Sequence, residues 1–413
     1  MTRIKIKNFG PIKQGVSNDG WIEIPKVLLL IGDQGTGKSS VVKLISSFLW
    51  MEKNLVRRLH DPHLFREKGR IKTALLNYHR IGNFLQADTQ IEFQGEAYHI
   101  SYKDEYLTFT EQTDGSKQYP QPKIMYVPAE RNFLSYVENT KDLHIASPAF
   151  RDFLSEFEKA KEKMEGNKSK HTLPIGDLNL SIDGRYKNRS LKISGKGYEL
   201  RLSEASSGIQ SIAPISLVSE YLTSRLEASE REEEVMTQHQ KRIFEDEVQS
   251  IFSMGLPIEH RRILLNNLSR KFTNSAFINI VEEPEQNLYP DSQWNVVKQL
   301  LSISNQRKQN QLLLTSHSPY IMNYLTISLQ AGLLAERLEG NAEAIQKVNE
   351  IIPQKTHLHS GDLKIYQLKT DGSMALLPDY EQLPSDDNFL NEALAKTNEV
   401  FGDLLEIEQT YLM

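Results

Sequence analysis

The feature that most constrains this 413-residue chain is the loop Gly32-Asp33-Gln34-Gly35-Thr36-Gly37-Lys38-Ser39, which follows directly on the apolar run Val27–Ile31. Its order fits G-x-x-x-x-G-K-[ST], a pattern that works only where a buried strand enters the loop and a helix leaves it. Val27–Ile31 lies between Pro25 and Gly32, as a strand covered on both faces requires. Beyond Lys38, Val41, Val42, Leu44, Ile45, Phe48 and Leu49 recur at helical spacing. Glycines in such a loop let backbone N–H groups curl around a phosphate, and the helix that follows adds its positive end. The gripping residues are Gly32, Asp33, Gln34, Gly35, Thr36, Gly37, Lys38, Ser39 and Ser40. Lys38 is placed to reach the β- and γ-phosphate oxygens of ATP, and Ser39 to offer its hydroxyl to Mg²⁺.

Two further apolar runs end in polar side chains that suit the same chemistry. Phe277–Val281 leads into Glu282-Glu283-Pro284-Glu285, and Leu312–Thr315 into Ser316-His317-Ser318-Pro319, with a helix expected between them near Ser292–Ile303. Next to a P-loop, Glu282 is placed to orient Mg²⁺ and Glu283 to polarise the attacking water. A neutral imidazole at 317 can hydrogen-bond that water or the γ-phosphate. Lys38, Glu283 and His317 form the candidate catalytic set, and Ser39 and Glu282 the candidate metal set. Alone, a Glu-Glu pair is more often a solvated strand end and a lone His a structural one; the loop upstream shifts both readings. Glu285 has no definite role.

The rest of the chain fixes the surroundings. Residues 3–7 and 21–24 alternate like edge or hairpin strands, and Ile91–Tyr102 and Leu107–Glu111 read as antiparallel strands of a β-lobe. Residues 150–170 are helical up to a break at Gly166-Asn167, and a basic hairpin spans Gly184–Arg201. From Leu217 to Phe272 the pattern is long, charged and helical, with a solvated acidic run at Glu230–Glu234. Helix over Leu329–Val348, a strand pair at Leu363–Leu368 and Met374–Leu377, and a last helix capped by Ser385 complete the reading.

Charged residues make up 25% and apolar residues 39% of the chain, values ordinary for a globular protein. There is no cysteine, so disulfides and cysteine-ligated zinc are excluded and the cytoplasm is the default compartment. The amino-terminal residues lack the apolar core of a secretory signal, and no apolar run approaches the roughly 20 residues of a bilayer span. Net charge is −5, so any DNA contact must use local patches. One patch is Arg57, Arg58, Arg66, Lys68, Arg70 and Lys72; another is Arg185, Lys187, Arg189, Lys192, Lys196 and Arg201. Solvated surface explains either equally well. His357 and His359 share a face of any strand, without acids nearby to make a metal site.

Together with Ser206-Ser207-Gly208-Ile209-Gln210, these motifs resemble those of ABC-type ATPases, in the soluble branch that includes SMC, RecF and the overcoming-lysogenization-defect proteins. Ile4–Ile12 resembles that branch's first strand and turn, and Glu282–Pro290 its Walker B and D-loop segment. The resemblance implies that Ser206, Ser207, Gly208 and Gln210 form a signature motif capping the ATP of a second head, with Asp291 near the D-loop that crosses the dimer interface. The signature lacks one glycine of the transporter form, Glu282 stands where an Asp is usual, and Gly208 lies far before Glu283. Gln121 is a weak candidate for the Q-loop glutamine. Pro128-Ala129-Glu130-Arg131 is similar to a segment of the ATPase subunits of the anti-phage systems PARIS and Septu.

The resulting expectation is an α/β P-loop NTPase with an ABC-type head, an antiparallel β-lobe, an inserted helical arm and a small C-terminal α+β extension. The head comprises 1–216 and 273–325, the arm 217–272 and the extension 326–413. The expected function is ATP hydrolysis by paired heads, with ATP and Mg²⁺ as ligands and a homo-oligomer as the working form. A sensor ATPase that controls a separate effector, recognising DNA or a phage protein, is one reading. A RecF/SMC-like chromosome-maintenance ATPase and a nucleotide-gated scaffold are the others. No membrane partner is expected.

Overall fold

The structure is a computed structural model that describes all residues except 18, 60–64, 113–118, 138–144, 167–168, 176–177, 183–190, 229–235 and 413. The acidic run Glu230–Glu234 and Arg185, Lys187 and Arg189 of the second basic patch lie outside the described residues.

Along the chain, β1 (Arg3–Phe9) and β2 (Trp21–Glu23) precede β3 (Val27–Gly32), α1 (Lys38–Arg57) and the short α2 (Arg70–Ala74). Next come β4 (Leu85–Gln94), β5 (Tyr98–Lys103), β6 (Tyr106–Glu111), β7 (Pro122–Val127), a 3₁₀ segment (Ala129–Tyr136) and α3 (Pro148–Gly166). A small sheet follows: β8 (His171–Thr172), β9 (Asn179–Ile182), β10 (Leu191–Gly195) and β11 (Tyr198–Arg201). The middle of the chain holds α4 (Ser207–Ala228), α5 (Gln238–Ser253) and α6 (Ile258–Phe272). Then come β12 (Ala276–Glu282), α7 (Pro290–Ser304), β13 (Gln311–Ser316), α8 (Pro319–Arg337) and α9 (Ala342–Ile351). The chain closes with β14 (Leu363–Leu368), β15 (Met374–Leu376), the short pair β16 (Asp379–Tyr380) and β17 (Leu383–Pro384), and α10 (Phe389–Leu412).

The central sheet has the order β15-β14-β3-β13-β12-β7 and is parallel except for the β15 edge. Its inner strands β3, β13 and β12 are mostly apolar because both faces are covered. Alternation then sorts the side chains. Leu28 and Leu30 of β3 pack with α1 and the lobe, whereas Val27, Leu29 and Ile31 pack with the helices opposite. The lobe is a separate antiparallel sheet, β2-β1-β4-β5-β6. Within it Ile91–Tyr102 is two strands joined by a turn at 95–97, not one.

Two domain boundaries read from the sequence fall inside continuous structure. Residue 217 lies in the middle of α4, whose Leu217, Val218, Leu222 and Leu226 join the same apolar cluster as β3 and β13. Only α5 and α6 form a projecting hairpin. Residues 326–413 likewise do not stand apart: β14 pairs in parallel with β3, the strand that enters the P-loop. The pairing of β14 with Met374–Leu376 was legible, but its place beside β3 was not, because long-range pairing is decided by tertiary context. The last helix is capped by Asn388, whose Oδ1 accepts from the Leu390 and Asn391 amides, rather than by Ser385. Leu329–Val348 is two helices, broken at 338–341.

The lobe is pinned to α1 by one buried carboxylate. Glu52 Oε1 accepts from the amides of Ala97 and Tyr98 at 2.7 and 3.0 Å, at a turn where a side chain on Gly95 would collide with that carboxylate. Burial pushes the Glu52 carboxyl up from 4.5 to about 7. The folded state therefore holds a proton that the unfolded chain releases above 4.5, and the associated stability falls as pH rises through 7. Glu52→Gln keeps the accepting oxygen and removes the ionisation. Its thermal midpoint should be flatter than wild type between about pH 4.5 and 7, measured by circular dichroism.

Candidate functional site

The candidate site forms where three neighbouring parallel strands end. β3, β13 and β12 are adjacent and in register, with Ile31 opposite Ser316 and Thr315 opposite Glu282. Their continuations, the P-loop, the His317 loop and the Glu283 turn, emerge on one edge of the sheet. This is the crevice at strand C-termini where open α/β sheets bind ligands.

Backbone geometry builds the phosphate loop. Gly32, Gly35 and Gly37 all have positive φ, at 152°, 80° and 103°. A Cβ on Gly32 would come within 2.5 Å of the Leu368 carbonyl of β14, so the neighbouring strand enforces glycine there as firmly as the turn does. Gly37 is the N-cap of α1, and its carbonyl accepts the Val41 amide. Thr36 Oγ1 donates to the Asp33 carbonyl at 2.8 Å, bracing the loop. Asp33, Gln34 and Gly35 are exposed, Gly37 and Ser39 are half-buried, and Thr36, Lys38 and Ser40 are buried. Lys38 Nζ donates to the Gly32 and Asp33 carbonyls at 2.7 and 2.8 Å. Burial lowers its ammonium to about 8, against the opposing pull of Glu283, Glu285, Asp33 and Glu282.

The carboxylates occupy three different environments. Glu282 is buried at the end of β12, with Oε2 accepting the Ala129 amide at 3.4 Å and Lys43 Nζ 4.0 Å from Oε1. That Oε1 is buried without a hydrogen bond of normal geometry, with the Tyr126 hydroxyl and the Lys43 ammonium facing the carboxylate, and can accept a cation. Lys43 sits one helical turn beyond Ser39 on α1 and was not singled out by sequence reasoning. Glu283 is half-buried, with φ of 44°, a conformation that costs a non-glycine residue about 1–3 kcal/mol. His317 Nε2 lies 3.5 Å from its Oε1. That contact, against partial burial, holds the Glu283 carboxyl below the usual carboxylate range. Glu285, left without a role by the sequence, accepts from Ser316 Oγ and the His317 amide at 2.8 and 2.7 Å, fixing the His317 loop. Burial pushes its carboxyl up.

The residue that sequence reasoning placed without a function is Arg131. It is fully buried and donates to four backbone carbonyls: Pro128, Glu282, Glu283 and Ser211. Two of these belong to the strained Glu283 turn, and the fourth to the first turns of α4. Burial lowers the guanidinium to about 10, still charged at neutral pH. The Pro128–Arg131 segment thus has a structural reason of its own.

The expected signature residues divide. Ser206 and Ser207, at the start of α4, are exposed; Gly208 is buried, and a Cβ on it would come within 2.6 Å of the Asn287 carbonyl. Gln210 faces inward, donating from Nε2 to the Ser203 carbonyl at 3.0 Å, which ties down its own turn rather than reaching outward. Asp291 is exposed in the first turn of α7. Gln121 lies before β7, at the opposite edge of the sheet, where it accepts from buried Arg57. It cannot be a Q-loop residue, and Arg57 is a structural member of its basic patch. His357 and His359 are in a loop; His357 contacts the Ile352 carbonyl and His359 pairs with Glu336. Among the described residues no group of three His, Asp or Glu side chains could hold a metal ion, and no helix is long and apolar enough to cross a membrane.

Residues 131–322 match a family model described as an AAA ATPase domain, a span running from the buried arginine into α8. No curated protein matches the chain. Among solved structures, the chain is similar to an SMC head domain from Thermotoga maritima, with 11% identity, TM-score 0.39, and 92% of this chain and 98% of that one covered. It is also similar to an SMC head domain with an extended coiled coil, bound to the C-terminal domain of ScpA, from Pyrococcus furiosus. Identity there is 10% and TM-score 0.35, covering 97% and 100% of the two chains. A dimeric ATP-binding cassette in a post-hydrolysis state bound to ADP and Pi shows 11% identity and TM-score 0.30, over 92% and 100%.

Removing the buried guanidinium strands four carbonyls. Arg131→Met should cost about 3–5 kcal/mol in chemical denaturation. Arg131→Lys should recover only part of it, because an ammonium cannot match the planar fork of donors.

Proposed function

We propose that this chain binds ATP at the Gly32–Ser40 loop and hydrolyses it with Glu283 and His317, as one of a pair of heads. The observation that carries this reading is the His317–Glu283 pair, 3.5 Å apart and electrostatically coupled to Lys38 across the ends of adjacent strands. The loop amides and Lys38 hold the triphosphate; Lys38 exchanges its two loop carbonyls for phosphate oxygens. Mg²⁺ would be held by Ser39 and Glu282 and would neutralise charge on the β- and γ-phosphates. Glu283, ionised at neutral pH, polarises the attacking water, and His317 orients it. The exposed Ser206 and Ser207 hydroxyls, with Gly208 behind them, cap the γ-phosphate bound by a second head, and Asp291 lies at that junction. Gln210 supports this turn from inside.

We further propose that ATP-dependent pairing is read out by a separate effector protein, with anti-phage defence as the setting. The similarity of Pro128-Ala129-Glu130-Arg131 to a segment of defence ATPase subunits supports it. If pairing alone were the output, Glu283→Gln would keep full biological activity while Lys38→Ala lost it.

Two measurements test the chemistry. Glu283→Gln should lower ATP turnover by about 100-fold or more while leaving ATP affinity within a few-fold; unchanged turnover removes Glu283 from its role. Lys38 titrates near 8 without phosphate, and triphosphate binding should raise that value. Binding of Mg²⁺-ATP, whose terminal phosphate is already ionised, should therefore take up roughly half a proton at about pH 8, against almost none at about pH 6.5, read by calorimetry in buffers of different ionisation enthalpy.

A further inference from the structure

Two surfaces outside the candidate site have no cover among the described residues. The first is α10. Its start is anchored: Leu390 is buried in the main core, Phe389 packs beside it, and the Phe389 amide donates to Gln367 Oε1. Beyond Asn391 every described side chain is exposed, and a Cβ on Gly402 would meet nothing within 4 Å. Yet Val400, Phe401, Leu404, Leu405 and Ile407 gather on this open helix, 40–63% exposed. The steps from Val400 to Leu404 and from Leu404 to Ile407 are four and three residues, the spacing of a helix that packs on another helix. Around this stripe stand Glu392, Glu399, Asp403, Glu406 and Glu408, against the single Lys396.

The second is the outer side of the α5–α6 hairpin. The two helices enclose their own small core of Ile251, Leu268 and Phe272. Outside it, Phe252, Met254, Ile258 and Ile263 are 54–77% exposed, and Gly255 at the tip also faces open space. Here the charge is reversed: α6 carries Arg261, Arg262 and Arg270 against the single acid Glu259, while Lys271 is already paired with Glu247 of α5.

We propose that α10 of one copy of this chain packs against α6 of a second copy. The apolar stripe of α10 meets the exposed apolar side chains around the tip of the hairpin, and an acidic helix meets a basic one. Pairing α10 with another α10 would oppose like charges along its length. The contact is heterologous: each copy offers a helix and receives one, so it propagates until a ring closes. It is separate from pairing of heads around ATP and does not require nucleotide.

Sedimentation velocity of the nucleotide-free full chain tests this. The wild type should self-associate, and raising salt from about 50 to about 500 mM should weaken association by about tenfold or more. Phe401→Glu with Leu404→Glu should give monomers, as should Ile258→Glu with Ile263→Glu, each with an unchanged thermal midpoint. Mixed in equal amounts, these two variants should form a one-to-one pair and stop, because one intact helix meets one intact arm. A wild type that stays monomeric to about 100 µM overturns the proposal, and so does a mixture that stays monomeric. Should the glutamate variants misfold, charge reversal serves instead: Glu399→Lys, Asp403→Lys and Glu406→Lys in one chain, Arg261→Glu, Arg262→Glu and Arg270→Glu in the other. Each should be monomeric alone and reassemble on mixing; failure to reassemble is equally fatal.

Discussion

A single buried guanidinium joins the parts of this molecule that must act together. Arg131 ends a 3₁₀ segment's first turn, yet its donors reach the Glu282–Glu283 backbone on one side and the start of α4 on the other. Burying that charge is unfavourable by itself, and four carbonyl acceptors with a surrounding set of carboxylates offset the cost. The left-handed Glu283 turn persists because its amide is held by Thr315 and its carbonyl by Arg131. Strain of this kind survives only where the surroundings over-determine it. The turn presenting a carboxylate and the helix presenting two serines are therefore parts of one rigid unit.

The sequence disclosed what local chemistry decides. The P-loop, the strands that flank it and the carboxylate and imidazole at strand ends were legible because apolar runs of five or six residues and glycines with special φ leave few alternatives. It did not disclose what depends on partners distant in the chain. Arg131 looked like part of a polar segment because nothing local reveals that an arginine will be entirely enclosed. Gln121 and Gln210 read as functional amides, but both are tied to their own backbone or to a buried arginine. The β14 strand was found, but its place beside β3 was not. The role of Glu285 emerged only with the amide and hydroxyl it accepts from.

Lys38 shows how such a site stays ready. Its ammonium is buried beside four carboxylates and bonded to two loop carbonyls, so it is satisfied before any phosphate arrives. Exchange of one set of oxygens for another requires little rearrangement of the loop, because three glycines and the Thr36 brace already hold its shape. Preorganisation of this sort puts the energetic cost into folding rather than into binding.

The position of β14 has a kinetic consequence. The strand leading into the phosphate loop has both of its sheet neighbours supplied from far downstream, by segments beginning at Gln311 and Leu363. During synthesis β3 and its glycine loop leave the ribosome early; α1 and the lobe can cover one face of the strand, but neither of its edges can be paired until Gln311 and Leu363 have followed. Closure of such distant pairings is slow and leaves an apolar edge open meanwhile. The nascent chain thus carries a wholly apolar strand with both edges unpaired over the synthesis of roughly three hundred residues, and the edge of the sheet that bears the glycine loop is completed only afterwards.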